Sequence, residues 1–150
     1  MLIHSIKSLI ATVSTGLMFA AGGVAQAADP GISEGTITLG MSAPFSGPNG
    51  AYGKEMKEGA MAYFAQLNAA GGIHGKKVEL VALDDGYETE KAVANTRKLI
   101  NEQKIFALMA YYGSSPSTEA MKVFSEARVP LLGTISGAGS LRTPVNRYMF

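Results

Sequence analysis

Ile105-Phe106-Ala107-Leu108-Met109-Ala110-Tyr111-Tyr112-Gly113-Ser114-Ser115-Pro116 is the stretch on which the fold turns. The unbroken apolar run 105–110 suits a strand buried on both faces, which is the environment of a parallel sheet. Ser115-Pro116 then opens a helix: a hydroxyl at the N-cap, followed by proline at the first helical position, where its missing N–H costs nothing. Met121 and Phe124 are spaced to face the sheet from that helix.

The same alternation runs outward in both directions. Residues 36–41 alternate and are β-rich, so they read as a first strand. A Gly/Pro/Asn loop over 44–53 follows. Met56, Ala60, Tyr63, Phe64 and Leu67 then recur at helical spacing, with Tyr63 expected on the core-facing stripe. Gly71-Gly72 supplies the left-handed stop. Residues 78–83 form a second strand ending at Asp84-Asp85-Gly86-Tyr87, and Ala92, Val93, Leu99 and Ile100 mark a second helix. Residues 129–133 are a fourth strand, 134–143 a polar glycine-containing loop, and 147–150 the start of a fifth strand. Strict β-α alternation predicts an α/β fold, a doubly wound (Rossmann-like) parallel sheet with helices on both faces. Ligands of such sheets sit beyond the carboxyl ends of the strands, which places the candidate loops at 42–53, 84–88, 111–116 and 134–142.

Composition narrows the function classes. The 13 Lys/Arg exceed the 12 Asp/Glu by one, Lys7, which lies in an N-terminal segment that reads as removable. The remainder is formally neutral, with no electrostatic reason to bind nucleic acid or an anionic membrane. No cysteine is present, so a disulfide framework, thiolate metal site, cysteine nucleophile and lipid-anchored N-terminal cysteine are excluded. Residues 1–27 have the form of a signal peptide: Lys7 without an acid, an uncharged run, then Ala25-Gln26-Ala27 as a small-x-small cleavage pattern. The apolar stretch is short and no basic stop-transfer cluster follows, which disfavours a membrane anchor. Cleavage would release a periplasmic protein starting at Ala28, with 28–35 as a loose polar lead-in and 36–150 as the folded lobe.

Chemistry-bearing motifs are sparse. Gly47, Gly50 and Gly53 are spaced GxxGxxG, unlike a dinucleotide fingerprint, and Glu55 follows Lys54 where a phosphate loop needs Ser or Thr. Asp84-Asp85 reads as acidic residues ahead of a helix N-terminus, complementing its dipole. His74 sits in a turn before a strand, away from the carboxyl ends, and no nucleophile elbow or paired histidines appear. No enzyme, cofactor or metal is expected. What remains is uncharged. Gly113-Ser114-Ser115 offers hydroxyls and backbone N–H groups at a helix N-terminus, suited to a carboxylate, although Ser115 equally suits a plain cap. Thr134, Ser136 and Ser140, with carbonyls around Gly137-Ala138-Gly139, can accept from an ammonium or simply form a connection. Tyr52 and Tyr87 border the same edge and can stack on a side chain. Together these loops suit a small zwitterion.

Several stretches carry a family resemblance: 41–48 (Met-Ser-Ala-Pro-Phe-Ser-Gly-Pro), 68–76 (Asn-Ala-Ala-Gly-Gly-Ile-His-Gly-Lys), 83–87 (Leu-Asp-Asp-Gly-Tyr), 127–131 (Ala-Arg-Val-Pro-Leu) and 140–148. In this order they cover nearly all of 36–150, which resembles the type I periplasmic binding proteins of branched-chain amino-acid ABC transporters. The resemblance implies the N-terminal lobe of a two-lobed fold, with Phe150 in the crossover to a second lobe. It also implies capture of a branched-chain amino acid or related solute for a permease in the inner membrane. The carboxylate would be held at Ser114 and Ser115, the ammonium near Gly137, Ala138 and Ser140, with Tyr52 flanking the side chain and Tyr87 and Thr134 adjacent. Pro116 departs from the pattern by removing one backbone donor, and Gly139 stands where a threonine is common. Family relatives also include receptor-type sensors and binders of aromatic acids, amides or urea-like solutes, which stay open as alternatives.

Overall fold

A computed structural model describes residues 29–150; the leader expected over 1–27 lies outside them. Four parallel strands, β1 (Thr36–Ala43), β2 (Lys77–Asp84), β3 (Ala107–Met109) and β4 (Leu131–Leu132), lie in the order β2-β1-β3-β4. Three helices connect them: α1 (Gly50–Ala69), α2 (Thr89–Asn101) and α3 (Ser114–Glu126). The order reverses direction at β1. The chain steps one way from β1 to β2 and the other way from β2 to β3 and β4. Right-handed crossovers therefore put α1 on one face and α2 with α3 on the other. The register agrees. Gly40 pairs with Val81 and Leu108 and faces Leu99 of α2, whereas Ile37, Leu39 and Val78 face α1.

The core lies on the α2/α3 face. Leu99, Ile105, Leu108, Tyr111, Ala120, Phe124 and Leu131 form one buried cluster, with Met121 packed against it. Tyr111 is a polar member whose hydroxyl pairs with that of Thr96 at 2.8 Å, and burial pushes its pKa up. The opposite face is more open. The residues that α1 buries fully are Gly50 and Gly53, and Tyr63 is 63% exposed rather than in the core. The apolar stripe of α1 is wider than its footprint on β1 and β2, so Tyr63 lines an open apolar groove with Phe64, Leu67, Ile37, Leu39 and Phe106.

Other boundaries moved for identifiable reasons. The helix expected after residue 53 begins at Gly50. Gly50 and Gly53 serve close approach and not a turn: a Cβ on Gly53 would lie 1.9 Å from the Pro44 carbonyl oxygen. The third helix starts at Ser114, with Gly113 at the N-cap and Pro116 inside the first turn, so Ser115 does not cap it. Of the run 105–110, Ile105, Ala107 and Leu108 are buried, but Phe106 is 43% exposed on the open groove. The lead-in is pinned instead of loose. Thr38 N–H donates to the Gly31 carbonyl, Ile32 bridges Ile37, and the Lys76 ammonium donates to the carbonyls of Ser33 and Glu34. The fifth strand amounts to a parallel bridge between Leu131 and Met149. Gly71 and Gly72 take the expected positive φ, 104° and 72°. Among the described residues no helix is long and apolar enough to cross a membrane.

Candidate functional site

The reversal of strand order leaves a crevice between the carboxyl ends of β1 and β3, where connections diverge. Tyr52, in the first turn of α1, enters it from one side and Tyr112, just beyond β3, from the other. Their rings stack at 5.1 Å between centroids with planes 13° apart. Tyr87, after β2, tilts onto Tyr112 at 5.8 Å. Three segments distant in sequence thus contribute one aromatic cluster. Tyr112 is half-buried between its neighbours, and burial together with the two adjacent phenols raises its pKa. Sequence reasoning found Tyr52 and Tyr87 but missed Tyr112. The available signal was its place as the residue after Tyr111: if one turns into the core, its neighbour turns out at the ligand edge.

Gly113 joins this cluster to α3. Its φ is +98°, and a Cβ there would lie 2.3 Å from the Tyr87 ring, so only glycine lets the ring sit against the backbone. Beyond it, the N–H groups of Ser114 and Ser115 occupy the first two helical positions and have no intrahelical acceptor. Ser114 Oγ pairs with Ser136 Oγ at 3.0 Å, and Thr118 Oγ1 with Ser140 Oγ at 3.0 Å. Two hydroxyl pairs therefore tie the fourth loop to the first turn of α3. A cleft of about 360 Å³ opens here, lined by Tyr87, Tyr112, Gly113, Ser114, Ile135, Ser136 and Gly137. Ser115 lines a smaller cleft beside it with Ser114, Thr118 and Glu119.

The remaining expected residues are less close. Thr134 turns to a separate cleft of about 400 Å³ behind the loop, and its hydroxyl is buried without a partner. The Ala138 carbonyl already accepts from Arg142, whose guanidinium also donates to the Ser136 carbonyl. Arg142 thus braces the fourth loop, a role with no short-range sequence signal.

Asp84 and Asp85 are not free acids awaiting a helix dipole. Asp84 Oδ1 accepts from Phe45 N–H at 2.7 Å and Gly86 N–H at 2.9 Å, while Oδ2 accepts from Ser46 Oγ at 2.6 Å. Its slight burial works upward, but the Ser46 hydroxyl and the backbone donors outweigh it, so its pKa is lowered. Asp85 is 1% exposed. Its Oδ2 accepts from Ser42 Oγ at 2.8 Å and its Oδ1 from Tyr87 N–H at 2.9 Å. Burial raises its pKa despite those two donors, with Asp84 and Glu88 adding to the rise. Among the described residues no group of three His, Asp or Glu side chains could hold a metal ion.

In an open parallel α/β sheet the edge at the switch point is where small ligands bind, and here that edge is hydroxyl-rich and aromatic. Residues 36–150 match the model of the periplasmic binding protein family, and the chain belongs to that family. An "Amino acid binding protein" of Pseudomonas aeruginosa is 34% identical over 62% of this chain and 25% of its own length. A leucine-, isoleucine-, valine-, threonine- and alanine-binding protein of the same species is 30% identical over 77% of this chain and 31% of its own. Among solved structures, the branched-chain amino acid transporter substrate binding protein LivJ of Streptococcus pneumoniae, in complex with isoleucine, superposes with a TM-score of 0.71 at 32% identity. That match covers 77% of this chain and 33% of the other. The chain therefore spans about a quarter to a third of the length of these relatives.

Proposed function

We propose that this chain is the first lobe of a solute-binding protein that captures a small amino acid at the carboxyl edge of its sheet and delivers it to the permease of an ABC transporter in the inner membrane. The observation that carries the proposal is the convergence, at the switch point, of Ser114 and Ser115 at a helix N-terminus with Tyr52, Tyr87 and Tyr112. An amino-acid carboxylate docks on the first-turn N–H groups and the Ser114 hydroxyl, where the helix dipole favours negative charge. Its ammonium turns to the fourth loop. There Gly137 lines the cleft, and Arg142 already draws on the Ala138 carbonyl. The side chain lies on the tyrosines. Residues 1–27 act as a cleaved signal, and the protein works in the periplasm.

Isothermal titration of the protein carrying its complete reading frame tests this, with a panel of L-leucine, L-isoleucine, L-phenylalanine, benzoate, acetamide and urea. An amino acid binds, and Ser114→Ala weakens it about tenfold, the loss of one hydrogen bond to a charged group. A flat panel overturns the assignment. N-terminal sequencing of the exported protein yields Ala28; an intact Met1 rules out the cleaved signal.

A further inference from the structure

We propose that Asn49-Gly50 is a site of spontaneous deamidation, that the seating of α1 on the Pro44-Phe45 backbone keeps it closed, and that its isoaspartate product unseats Tyr52. The inference stands apart from the solute-binding proposal above. Of the five asparagines in the chain, only Asn49 is followed by glycine, whose backbone nitrogen no side chain shields from the preceding amide. The side-chain amides of Asn68, Asn95 and Asn146 are held in hydrogen bonds. Asn49 stands half-buried at the N-cap of α1 and makes no side-chain capping bond. The reaction needs only water. The Gly50 nitrogen attacks the side-chain carbonyl carbon of Asn49 and a carbon–nitrogen bond forms. The bond from that carbon to the side-chain nitrogen breaks, and ammonia leaves with the proton that Gly50 gave up. Water then opens the succinimide ring. Opening at the side-chain carbonyl gives aspartate. Opening at the backbone carbonyl gives isoaspartate, in which the chain runs through the former side chain and is longer by one carbon.

In the folded chain that ring cannot close. At a ψ of 4° the backbone nitrogen of Asn49, and not its Cβ, eclipses the Gly50 nitrogen. Bringing Cβ into line takes a large rotation about ψ, which the first turn of α1 opposes. Gly50 N–H donates to the Gly47 carbonyl at 3.0 Å, and Tyr52 N–H to the Asn49 carbonyl at 3.2 Å. Gly50 and Gly53 also lie hard against the chain below. A Cβ would stand 3.2 Å from the Phe45 carbonyl oxygen at Gly50 and 1.9 Å from that of Pro44 at Gly53. Asp84 fixes that chain in turn, through Phe45 N–H and the Ser46 hydroxyl. Deamidation therefore waits for the turn to open. An isoaspartate in place of Asn49 spaces the turn away from Pro44, and Tyr52, three residues on, leaves its stack on Tyr112.

The test incubates the full-length protein at mildly alkaline pH, folded and in urea, and follows the amide-to-acid mass change at residue 49 by peptide mapping. The unfolded chain reacts about tenfold faster or more, because reaction in the folded chain waits on a local opening. Gly53→Ala, which pushes the turn off Pro44, raises the folded-state rate about 5–30-fold. Should that variant fail to fold, Asp84→Ala replaces it, with a smaller acceleration expected. Gly59→Ala, where an added methyl meets open space, leaves the rate unchanged. Asn49→Gln, whose side chain must close a larger and slower-forming ring, yields no product. Protein aged in urea, refolded and enriched in isoaspartate loses much of the near-ultraviolet tyrosine band while its far-ultraviolet signal persists, whereas Asn49→Asp keeps both. No mass change at residue 49 even in urea overturns the site. Equal rates in the folded and unfolded chain, or no acceleration in the loosened variant, overturn the lock. A slower rate in Gly59→Ala does so too, by making unfolding of the whole chain the gate. A tyrosine band intact in the isoaspartate form, or lost equally in Asn49→Asp, overturns displacement of Tyr52 by the lengthened backbone.

Discussion

Two glycines of α1, six residues apart, make opposite predictions for the same substitution. At Gly59 an added Cβ meets nothing within 4 Å, and the residue lies in the helix interior. Alanine there gains helix propensity and removes unfolded-state freedom, so Gly59→Ala stabilises by about 0.5–1 kcal/mol. At Gly53 the same methyl would lie 1.9 Å from the Pro44 oxygen, 2.7 Å from its carbon and 3.1 Å from the Phe45 ring. Backbone atoms cannot swing aside as a side-chain tip can. Relief requires the first turn of α1 to lift by on the order of 1 Å, and such overpacking costs roughly 1–3 kcal/mol. After the propensity gain, Gly53→Ala is left about 1–2 kcal/mol less stable. Lifting that turn also carries Tyr52 away from Tyr112, because Tyr52 is the neighbouring residue. Urea unfolding followed by far-ultraviolet dichroism gives the two stabilities, and the near-ultraviolet tyrosine band reports the stack. Equal stabilisation by both substitutions, or an intact tyrosine band in a destabilised Gly53→Ala, would show that Gly53 is not the contact that seats α1.

The other predictions concern the loops around the cleft. Asp84 has a lowered pKa, so its stabilisation is present above the ordinary carboxylate range near 3.9 and is lost as pH falls through its lower folded value. Asp84→Asn should flatten that acid limb in urea midpoints measured from neutral to acidic pH, and an unchanged limb refutes the linkage. Asp85 runs the other way, because a raised carboxyl is penalised at neutral pH and relieved as pH falls through its raised value. Asp85→Asn should therefore lose the compensating upward trend. Arg142 forks two carbonyls, so Arg142→Ala and Arg142→Lys should both speed amide hydrogen exchange around 136–140, lysine rescuing little because it lacks the planar fork. Full protection in Arg142→Lys would mean that charge alone braces the loop.

How far the fold was legible depended on where each signal came from. The succession of strands and helices followed from local periodicity, whereas the order of strands in the sheet, and with it the switch point, is visible only in the structure. Gly50 and Gly53 misled because turn glycines and close-approach glycines look alike in sequence; only the positions of Phe45 and Pro44 tell them apart. Ser115-Pro116 misled in the same way, since Gly113 two residues earlier was as good an N-cap once the Tyr87 ring had to lie on it. Tyr63 sat on an apolar stripe wider than the sheet surface beneath it. Of the candidate site, Ser114, Ser115, Tyr52, Tyr87, Gly137, Ala138 and Ser140 all lie beyond the carboxyl ends of the strands, where the strand-end rule directs the search. Arg142, Asp85 and Tyr112 were not found: Arg142 and Asp85 bond nearby backbone groups, a use that residue type alone does not announce, and the Tyr112 stack joins segments distant in sequence.

The proposed site depends on how its loops are tied to one another. A binding edge made only of loops would spend ligand binding energy on ordering them. Here each loop is tied to a neighbour before a ligand arrives. Asp84 binds the loop after β2 to the loop after β1 through Phe45 and Ser46. Asp85 fixes Tyr87 from inside the sheet. Ser136 and Ser140 fasten the fourth loop to α3, and Arg142 closes it on itself. The charged members of these ties, Asp84, Asp85 and Arg142, do not line the cleft, which leaves it uncharged. On the proposed function, charge holds the frame while rings, hydroxyls and helix N–H groups meet the solute. A variant that moves a charge from the frame into the cleft, such as Ser136→Asp, should therefore repel the carboxylate that the N-terminus of α3 is set to receive. It would stand against the Ser114 hydroxyl, and about a tenfold or greater loss of L-leucine affinity is expected, partly recovered at high salt. Undiminished affinity in that variant would mean that the carboxylate is held elsewhere.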